Sequence, residues 1–206
     1  MRTLVLLALV LGGCDGNTDA TDIDTDTDTD TDTERPENHE VVITTRLGEI
    51  AIDVLDDEVP RAAANFRQYA GDGYYDGADG GRATLVHNIQ IPLYFEAGVY
   101  ETNLAEKAVG TPVSNESVGG PSNTRGTVAF IPSQTTGEHT AGFIFNAQDN
   151  TYLDGKEGDP GYTVFGNVVD GMDVVDAIMA ESTTSRGGFD AIPETDIVID
   201  KVEVLR

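Results

Sequence analysis

The side chains that could carry out chemistry are few and widely spaced in this sequence. Histidines stand at positions 39, 87 and 139, too far apart to indicate a zinc site. Neither a Ser-His-Asp order nor a phosphate-binding glycine loop is recognisable. Acidic side chains outnumber basic ones by 37 to 12, and the net charge of −25 argues against binding to nucleic acid or to an anionic membrane surface. The function therefore has to be sought in longer motifs.

The single cysteine, Cys14, rules out an intramolecular disulfide, and its surroundings indicate modification instead. A basic start at Met1-Arg2 precedes an apolar run over residues 4–11 that is too short to span a bilayer. The run ends in Leu11-Gly12-Gly13-Cys14, which resembles the lipobox of bacterial lipoproteins, where the signal is cut before an acylated cysteine. We therefore expect a signal peptide over residues 1–13, a lipidated Cys14, and a location in the cell envelope facing the periplasm or the exterior. An ordinary secretory signal with a chance cysteine is the alternative.

Residues 14–39 are predicted to be a disordered tether between the lipid anchor and a folded domain. The segment is almost wholly Asp and Thr from residue 15 to residue 34, so it has no apolar surface to bury. Its repelling charges should keep it extended. Alternating aspartates also suggest calcium binding, but the glycine and the closing glutamate of a calcium loop are missing. A spacer is the better interpretation.

The folded domain is predicted to span residues 40–206 and to be mainly β. Pro60 at a first helical position and Gly71 at the end mark one helix, and Met172 to Met179 has the apolar spacing of a second. Short alternating or β-branched segments separated by glycine-rich connections predict strands at 41–45, 49–55, 84–89, 93–97, 127–131, 142–145, 163–169 and 197–205. Many short strands with two helices fit an antiparallel barrel capped at its ends.

Several motifs, in order, carry a family resemblance across residues 41–205. They are Glu58-Val59-Pro60 to Asn65-Phe66, Gly73-Tyr74-Tyr75, Asn123 to Ala129, Phe143 to Asn146, Leu153-Asp154-Gly155, Tyr162 to Gly166 and Gly171 to Val175. Together they resemble the cyclophilin-type peptidyl-prolyl cis-trans isomerases, most closely the periplasmic bacterial type. The resemblance implies a closed eight-stranded antiparallel barrel capped by two α-helices. It also implies a monomer that binds proline-containing peptides or unfolded envelope proteins and needs no cofactor or metal.

The chemistry implied by the family is rotation about the X-Pro bond, whose barrier in an amide is about 18–20 kcal/mol. An apolar pocket holds the proline, and an arginine donates a hydrogen bond near the prolyl nitrogen, which weakens conjugation in the twisted state. The family pattern assigns catalytic positions to His87, Asn88 and Glu96. It assigns substrate-binding positions to Leu93, Phe130, Ile131, Gly142, Ile144, Tyr152, Leu153 and Tyr162. We expect one shallow trench on the outside of the barrel, formed by Asn88, Leu93, Glu96, Phe130, Ile131 and Ile144.

Several of these positions depart from the family. Asn88 stands where the arginine belongs, and Glu96 replaces a glutamine. A neutral amide is a weaker donor than a guanidinium, so we expect a loss of about 10²–10³ in rate. Leu93 and Ile144 keep the pocket apolar without its aromatic rings. The negative charge of Glu96 also suggests a changed preference, toward basic segments.

A competing alignment places Arg82 at the family arginine and Gln90 at the glutamine, because Arg82 follows Tyr75 by seven residues. That alignment breaks the spacing downstream of Glu96. The preferred alignment instead needs a six-residue insertion, for which the polar, glycine-rich stretch 76–81 is suited. Arg82 on this loop could still reach the groove.

The leading functional prediction is an extracytoplasmic folding factor with weakened peptidyl-prolyl isomerase activity. The alternative is a catalytically silent module that binds proline-containing segments of envelope proteins. A third hypothesis is a scaffold whose groove is filled by Phe130 and Tyr94.

Overall fold

A computed structural model describes residues 40–205 and confirms a mainly β chain with two helices. The predicted signal peptide, Cys14 and the tether lie outside the described residues. Within the described part, no helix has the length and apolarity that a membrane crossing requires. The elements are β1 (Val41–Thr45), β2 (Gly48–Val54), α1 (Pro60–Gly71), β3 (Thr84–Gln90), β4 (Tyr94–Glu101), β5 (Thr127–Phe130), β6 (Phe143–Asn146), a 3-10 helix (Thr151–Leu153), β7 (Thr163–Asp170), α2 (Met172–Met179), β8 (Thr183–Arg186), β9 (Phe189–Pro193) and β10 (Lys201–Val204).

Eight of the strands form one antiparallel sheet in the order β10-β1-β2-β7-β5-β6-β4-β3. The sheet curls into a half-barrel, and its edge strands β3 and β10 do not share a ladder. They are linked only through the segment before β10, where Leu85 and Val198 form an isolated bridge and Ile199 N donates to Thr84 O at 2.9 Å. The predicted closure is therefore overstated. The last strand is also shorter than predicted, since residues 197–199 make this bridge.

The inner face of the sheet holds an aromatic core. Phe66, on the buried side of α1, lies 4.5 Å from Phe165 and 6.1 Å from Phe143 between ring centroids. Phe130 packs 4.3 Å from Phe165. Gly98 in β4 has a φ of +95°, and a Cβ there would come within 2.7 Å of the Phe143 ring. These contacts hold α1 against the inner face of the sheet.

The β8–β9 hairpin was not predicted from the sequence. Its strands are short and largely exposed, so they lack the alternating apolar pattern that marks a half-buried strand. The signal that could have found it is the pair Gly187-Gly188, both with positive φ, because such pairs favour two-residue hairpin turns. The hairpin packs against β3, beside the predicted site.

Candidate functional site

A single row of residues crosses five strands on the outer face of the sheet. The ladders pair Asn88 in β3 with Glu96 in β4, and Glu96 with Ile144 in β6. Ile144 in turn pairs with Ala129 in β5, and Ala129 with Val164 in β7. Since directly opposed residues in a sheet point to the same face, the row forms one surface. It is polar at the Asn88 end and apolar at the other, and we call it the trench.

The apolar end of the trench is a small cluster separate from the inner core. Its floor is Ala129, Ile144 and Val164, each fully buried. The half-buried side chains packed against this floor are Leu55, Tyr94, Ile131, Leu153 and Tyr162. The structure thus brings together four predicted substrate-binding residues, namely Ile131, Ile144, Leu153 and Tyr162.

Tyr94 also packs on the floor, although sequence reasoning treated it only as a possible groove filler. Burial raises the pKa of the Tyr94 phenol, and the neighbouring Tyr162 and Glu96 raise it further. The pKa of Tyr162 is likewise raised, first by burial and then by Glu96. Both phenols therefore stay neutral hydrogen-bonding groups above the apolar floor. The signal for Tyr94 was its place two residues before Glu96, which puts both on one strand face.

At the polar end, Glu96 joins the two other predicted catalytic residues. Asn88 Nδ2 donates to Glu96 Oε1 at 3.1 Å, and His87 Nε2 lies 3.4 Å from Glu96 Oε2. Neighbours in a strand normally point to opposite faces, but the ladder is irregular between Val86 and Asn88, which lets both side chains reach Glu96. His87 is buried, while Asn88 and Glu96 are half-buried.

This arrangement limits what Asn88 can do. Its amide is neutral and is already hydrogen-bonded to a carboxylate, so it is a weak donor toward a prolyl nitrogen. Glu96 can only accept hydrogen bonds when ionised, and it then places a negative charge beside Asn88. The trench can therefore make apolar contacts at one end and can accept hydrogen bonds from cationic or amide groups at the other.

Phe130 does not lie in the trench, so this part of the prediction is wrong. It is fully buried in the inner core and stacks on His139 with ring centroids 4.6 Å apart. The physical reason is strand alternation, because Ala129 faces outward and its neighbour Phe130 must face inward. The sequence could not decide the direction, since both faces of β5 are buried.

The other predicted substrate-binding residues surround the trench. Gly142 is buried where an added Cβ would lie 3.2 Å from Val99, and its carbonyl accepts from Ile131 N at 2.9 Å. Tyr152 is 60% exposed and lines a surface cavity of about 490 Å³ together with Leu153 and Tyr162. Leu93 is half-buried in the β3–β4 turn and is not part of the apolar cluster.

A buried asparagine network holds the trench walls, and sequence reasoning missed it. Asn150 Nδ2 donates to Leu93 O at 3.0 Å and to Asn146 Oδ1 at 2.8 Å. Asn146 Nδ2 donates to Asn123 Oδ1 at 3.2 Å, and Asn123 Nδ2 donates to Tyr162 O at 3.1 Å. The network ties the β3–β4 turn to the loop that carries Tyr162, so these residues position the site without entering it.

Arg82 lies away from the trench. Its side chain is 62% exposed and faces Glu101 at 3.9 Å, at the far end of the β3–β4 pair from Asn88. Gln90 is exposed at the other end of β3. The ladder therefore places Asn88, and neither Arg82 nor Gln90, in the row. The inserted loop is fixed by Lys107, whose Nζ donates to Arg82 O at 2.9 Å and to Asp79 Oδ1 at 3.1 Å.

Residues 40–205 contain no group of three His, Cys, Asp or Glu side chains arranged to hold a metal ion. The two histidines in this range lie apart, since His87 contacts Glu96 on the outer face and His139 stacks on Phe130.

Comparison with known proteins gives a consistent result. Residues 40–204 match the family model described as cyclophilin type peptidyl-prolyl cis-trans isomerase/CLD. A peptidyl-prolyl cis-trans isomerase of Acinetobacter baylyi is 35% identical over 81% of this chain and 86% of its own length. Peptidyl-prolyl cis-trans isomerase B of Escherichia coli is 35% identical over 80% of this chain and 98% of its own length. This chain is also similar in fold to a cyclophilin-type peptidyl-prolyl cis-trans isomerase from Cryptosporidium parvum, whose crystal structure was determined in the presence of the dipeptide Ala-Pro. The two superpose with a TM-score of 0.64 at 16% sequence identity, over 81% of this chain and 99% of that one.

Proposed function

The chain belongs to the cyclophilin-type peptidyl-prolyl cis-trans isomerase family, a family of enzymes, and from this premise we propose that it is a weakened isomerase acting on extracytoplasmic proteins. Its substrates are proline-containing segments that lie along the trench. The apolar cluster over Ile144 and Ala129 holds the proline, and the polar end with Asn88 and Glu96 flanks the rotating bond.

The observation that carries the weakened activity is the bond from Asn88 Nδ2 to Glu96 Oε1 at 3.1 Å. A donor useful for prolyl isomerisation has to be strong and available as the nitrogen lone pair localises in the twisted state. Asn88 is neutral, and its amide already donates a hydrogen bond to the Glu96 carboxylate. Losing one preorganised donor costs on the order of 10²–10³ in rate in other enzymes, and we expect a similar deficit here.

The activity is tested with the domain spanning residues 40–206, since the matched region corresponds to 98% of the length of a curated relative. A Suc-Ala-Ala-Pro-Phe-type peptide is followed in a protease-coupled assay, with an arginine-bearing cyclophilin measured in parallel. We expect kcat/KM to be about 10²–10³ lower than that of the arginine-bearing enzyme but above the uncatalysed rate. An equal kcat/KM would contradict the weakened site.

A second candidate is a catalytically silent module that binds proline-containing segments of envelope proteins. It is favoured by the pairing of Asn88 with Glu96, because the apolar floor of the trench can still hold a proline while the amide that would assist rotation is engaged. In this case the coupled assay gives the uncatalysed rate, while an X-Pro peptide still shifts NMR signals of residues lining the trench. Absence of both signals would leave neither function standing.

The envelope location is supported by the lipobox-like Leu11-Gly12-Gly13-Cys14. Metabolic labelling with palmitate should label the full-length protein, and the substitution Cys14→Ser should remove the label. Inhibition of lipoprotein signal processing should also leave a larger precursor. The lipid anchor would be refuted if the full-length protein were not labelled and if its size did not change when lipoprotein processing is inhibited.

A further inference from the structure

A recess opens beside the polar end of the trench, between β3–β4 and the β8–β9 hairpin. Its volume is about 280 Å³. The hairpin contributes one wall through Phe189 and Asp190, which follow the Gly187-Gly188 turn directly. The residues lining the recess are His87, Asn88, Gln90, Glu96, Tyr100, Gly188, Phe189 and Asp190.

The apolar part of the recess is a cluster of three rings. Tyr100 lies 4.8 Å from His87 and 4.7 Å from Phe189 between centroids, and His87 lies 5.6 Å from Phe189. Tyr100 and Phe189 are only half-buried, so part of each ring faces the opening. Faces of aromatic rings attract cations, because their quadrupole is negative above and below the plane.

The polar part of the recess carries hydrogen-bond acceptors and negative charge. Asp190 is exposed, and within residues 40–205 its carboxylate forms no ion pair. Glu96 faces the same space, and no lysine or arginine lines it. Burial raises the pKa of Tyr100, and the carboxylates of Glu106 and Glu96 add to this shift, which is the effect of a negative field. The recess therefore suits a cation.

His87 forms part of the wall of the recess. Its side chain is 5% exposed, and its Nε2 lies 3.4 Å from Glu96 Oε2. A carboxylate only accepts, so Nε2 carries the proton in a neutral ring and Nδ1 is an acceptor. Nδ1 is buried and has no hydrogen-bond partner among the described residues. The His87 ring therefore holds the Glu96 carboxylate beside the recess and adds an aromatic face to its wall.

We propose that the recess binds the side chain of a lysine or arginine that lies close to the proline in the bound segment. This inference rests on the proposed function, because it needs the proline to sit over Ile144. Neighbouring strands are about 4.8 Å apart, so Asn88 is roughly 10 Å from Ile144 across β4. An extended peptide covers about 3.3 Å per residue, which places the cationic residue two or three positions from the proline.

The test uses fluorescein-labelled peptides that differ at one position, carrying Lys, Arg, Gln or Glu two or three residues from a central proline on either side. Binding to the domain is measured by fluorescence anisotropy. On one side of the proline, the Lys and Arg peptides should bind about fivefold or more tightly than the Gln peptide, and the Glu peptide most weakly. Raising the salt concentration should reduce this preference. Replacing the proline by alanine should weaken the Lys peptide.

Variants separate the recess from the general negative charge of the domain. Asp190→Lys should abolish or reverse the preference for the Lys peptide over the Gln peptide. Glu194→Lys is the matched control, because Glu194 is an exposed acid just after the same hairpin but does not line the recess. It makes the same change in net charge and should leave the preference close to that of the parent chain. Both positions are exposed, so both variants should fold.

The outcomes distinguish this inference from the proposed function. Equal affinity of Lys, Gln and Glu peptides would overturn the recess while leaving proline binding intact. A preference that Asp190→Lys and Glu194→Lys reduce equally would also overturn it, since the cause would then be the overall field. Failure of every peptide to bind would overturn the recess and the proposed function together. If replacing the proline by alanine left the affinity of the Lys peptide unchanged, the inferred placement of the proline over Ile144 would be overturned.

Discussion

The inner and outer faces of the sheet are built by the same strands but follow different chemistry. Phe143 and Phe130 face a continuous aromatic core, whereas their neighbours Ile144 and Ala129 face the trench. The inner face holds large rings at close contact, whereas the outer face combines a floor of small and aliphatic side chains with the carboxylate of Glu96. Since alternate residues on a strand can change independently, the fold can persist while the reaction chemistry drifts. Substitutions on the two faces should therefore have separate effects on stability and on activity.

The largest expected effect is on the inner face. Phe66→Ala removes a fully buried ring that contacts Tyr75, Phe143 and Phe165, and should lower the free energy of unfolding by about 3–5 kcal/mol. Urea denaturation followed by circular dichroism measures this loss. The control is Val118→Ala at a side chain that is 54% exposed, which should change the free energy by less than about 0.5 kcal/mol. Similar losses for the two variants would contradict the core assignment.

The next effect concerns His139, whose ring stacks on Phe130 in this core. Burial lowers the pKa of His139 from 6.5 to about 4, and neither ring nitrogen has a hydrogen-bond partner among the described residues. Because the unfolded chain takes up the proton first, this residue's contribution is complete above pH 6.5 and is lost as the pH falls toward 4. The loss should reach about 3 kcal/mol.

His139→Leu isolates this contribution from the titration of the carboxylates. The free energy of unfolding of the variant and the parent is measured between pH 4 and pH 7. The variant should gain stability relative to the parent as the pH falls, and the difference should be constant above pH 6.5. A difference that does not depend on pH would show that His139 is not buried in its neutral form.

A smaller effect, on rate, is expected on the outer face. Asn88→Arg combined with Glu96→Gln restores a cationic donor and removes the carboxylate that would neutralise it, so kcat/KM should rise about 10- to 100-fold. Asn88→Arg alone should gain much less, because the new guanidinium would pair with Glu96. The coupled isomerase assay on the purified domain provides the measurement.

Unfolding curves serve as the control for these variants. Both substitutions lie on the half-buried outer row, so the midpoint of urea denaturation should stay near that of the parent chain. A folded double variant with no gain in kcat/KM would mean that Asn88 is not at the catalytic position. A full gain from the single variant would mean that Glu96 does not restrain this position.

Secondary structure was predicted correctly where the apolar residues of a segment follow a clear helical or strand periodicity. The strand over residues 41–45 and the helix over Pro60–Gly71 were predicted with the bounds that the structure has, because apolar spacing and Pro60 mark them. The β8–β9 hairpin was missed because its exposed strands carry no such spacing. The direction of Phe130 was wrong because β5 is buried on both faces, and an unbroken apolar run does not reveal which side is inner.

The sequence by itself determined the family, the order of motifs and the mainly β architecture. These follow from local patterns and from residue identity, which need no knowledge of distant contacts. Only the tertiary structure decided that Asn88 is tied to Glu96, that Phe130 turns inward, that Arg82 stays away, and that an unpredicted hairpin builds a recess beside the trench. Each of these depends on how the strands pair in three dimensions, where a shift of one residue would exchange the inner and outer faces.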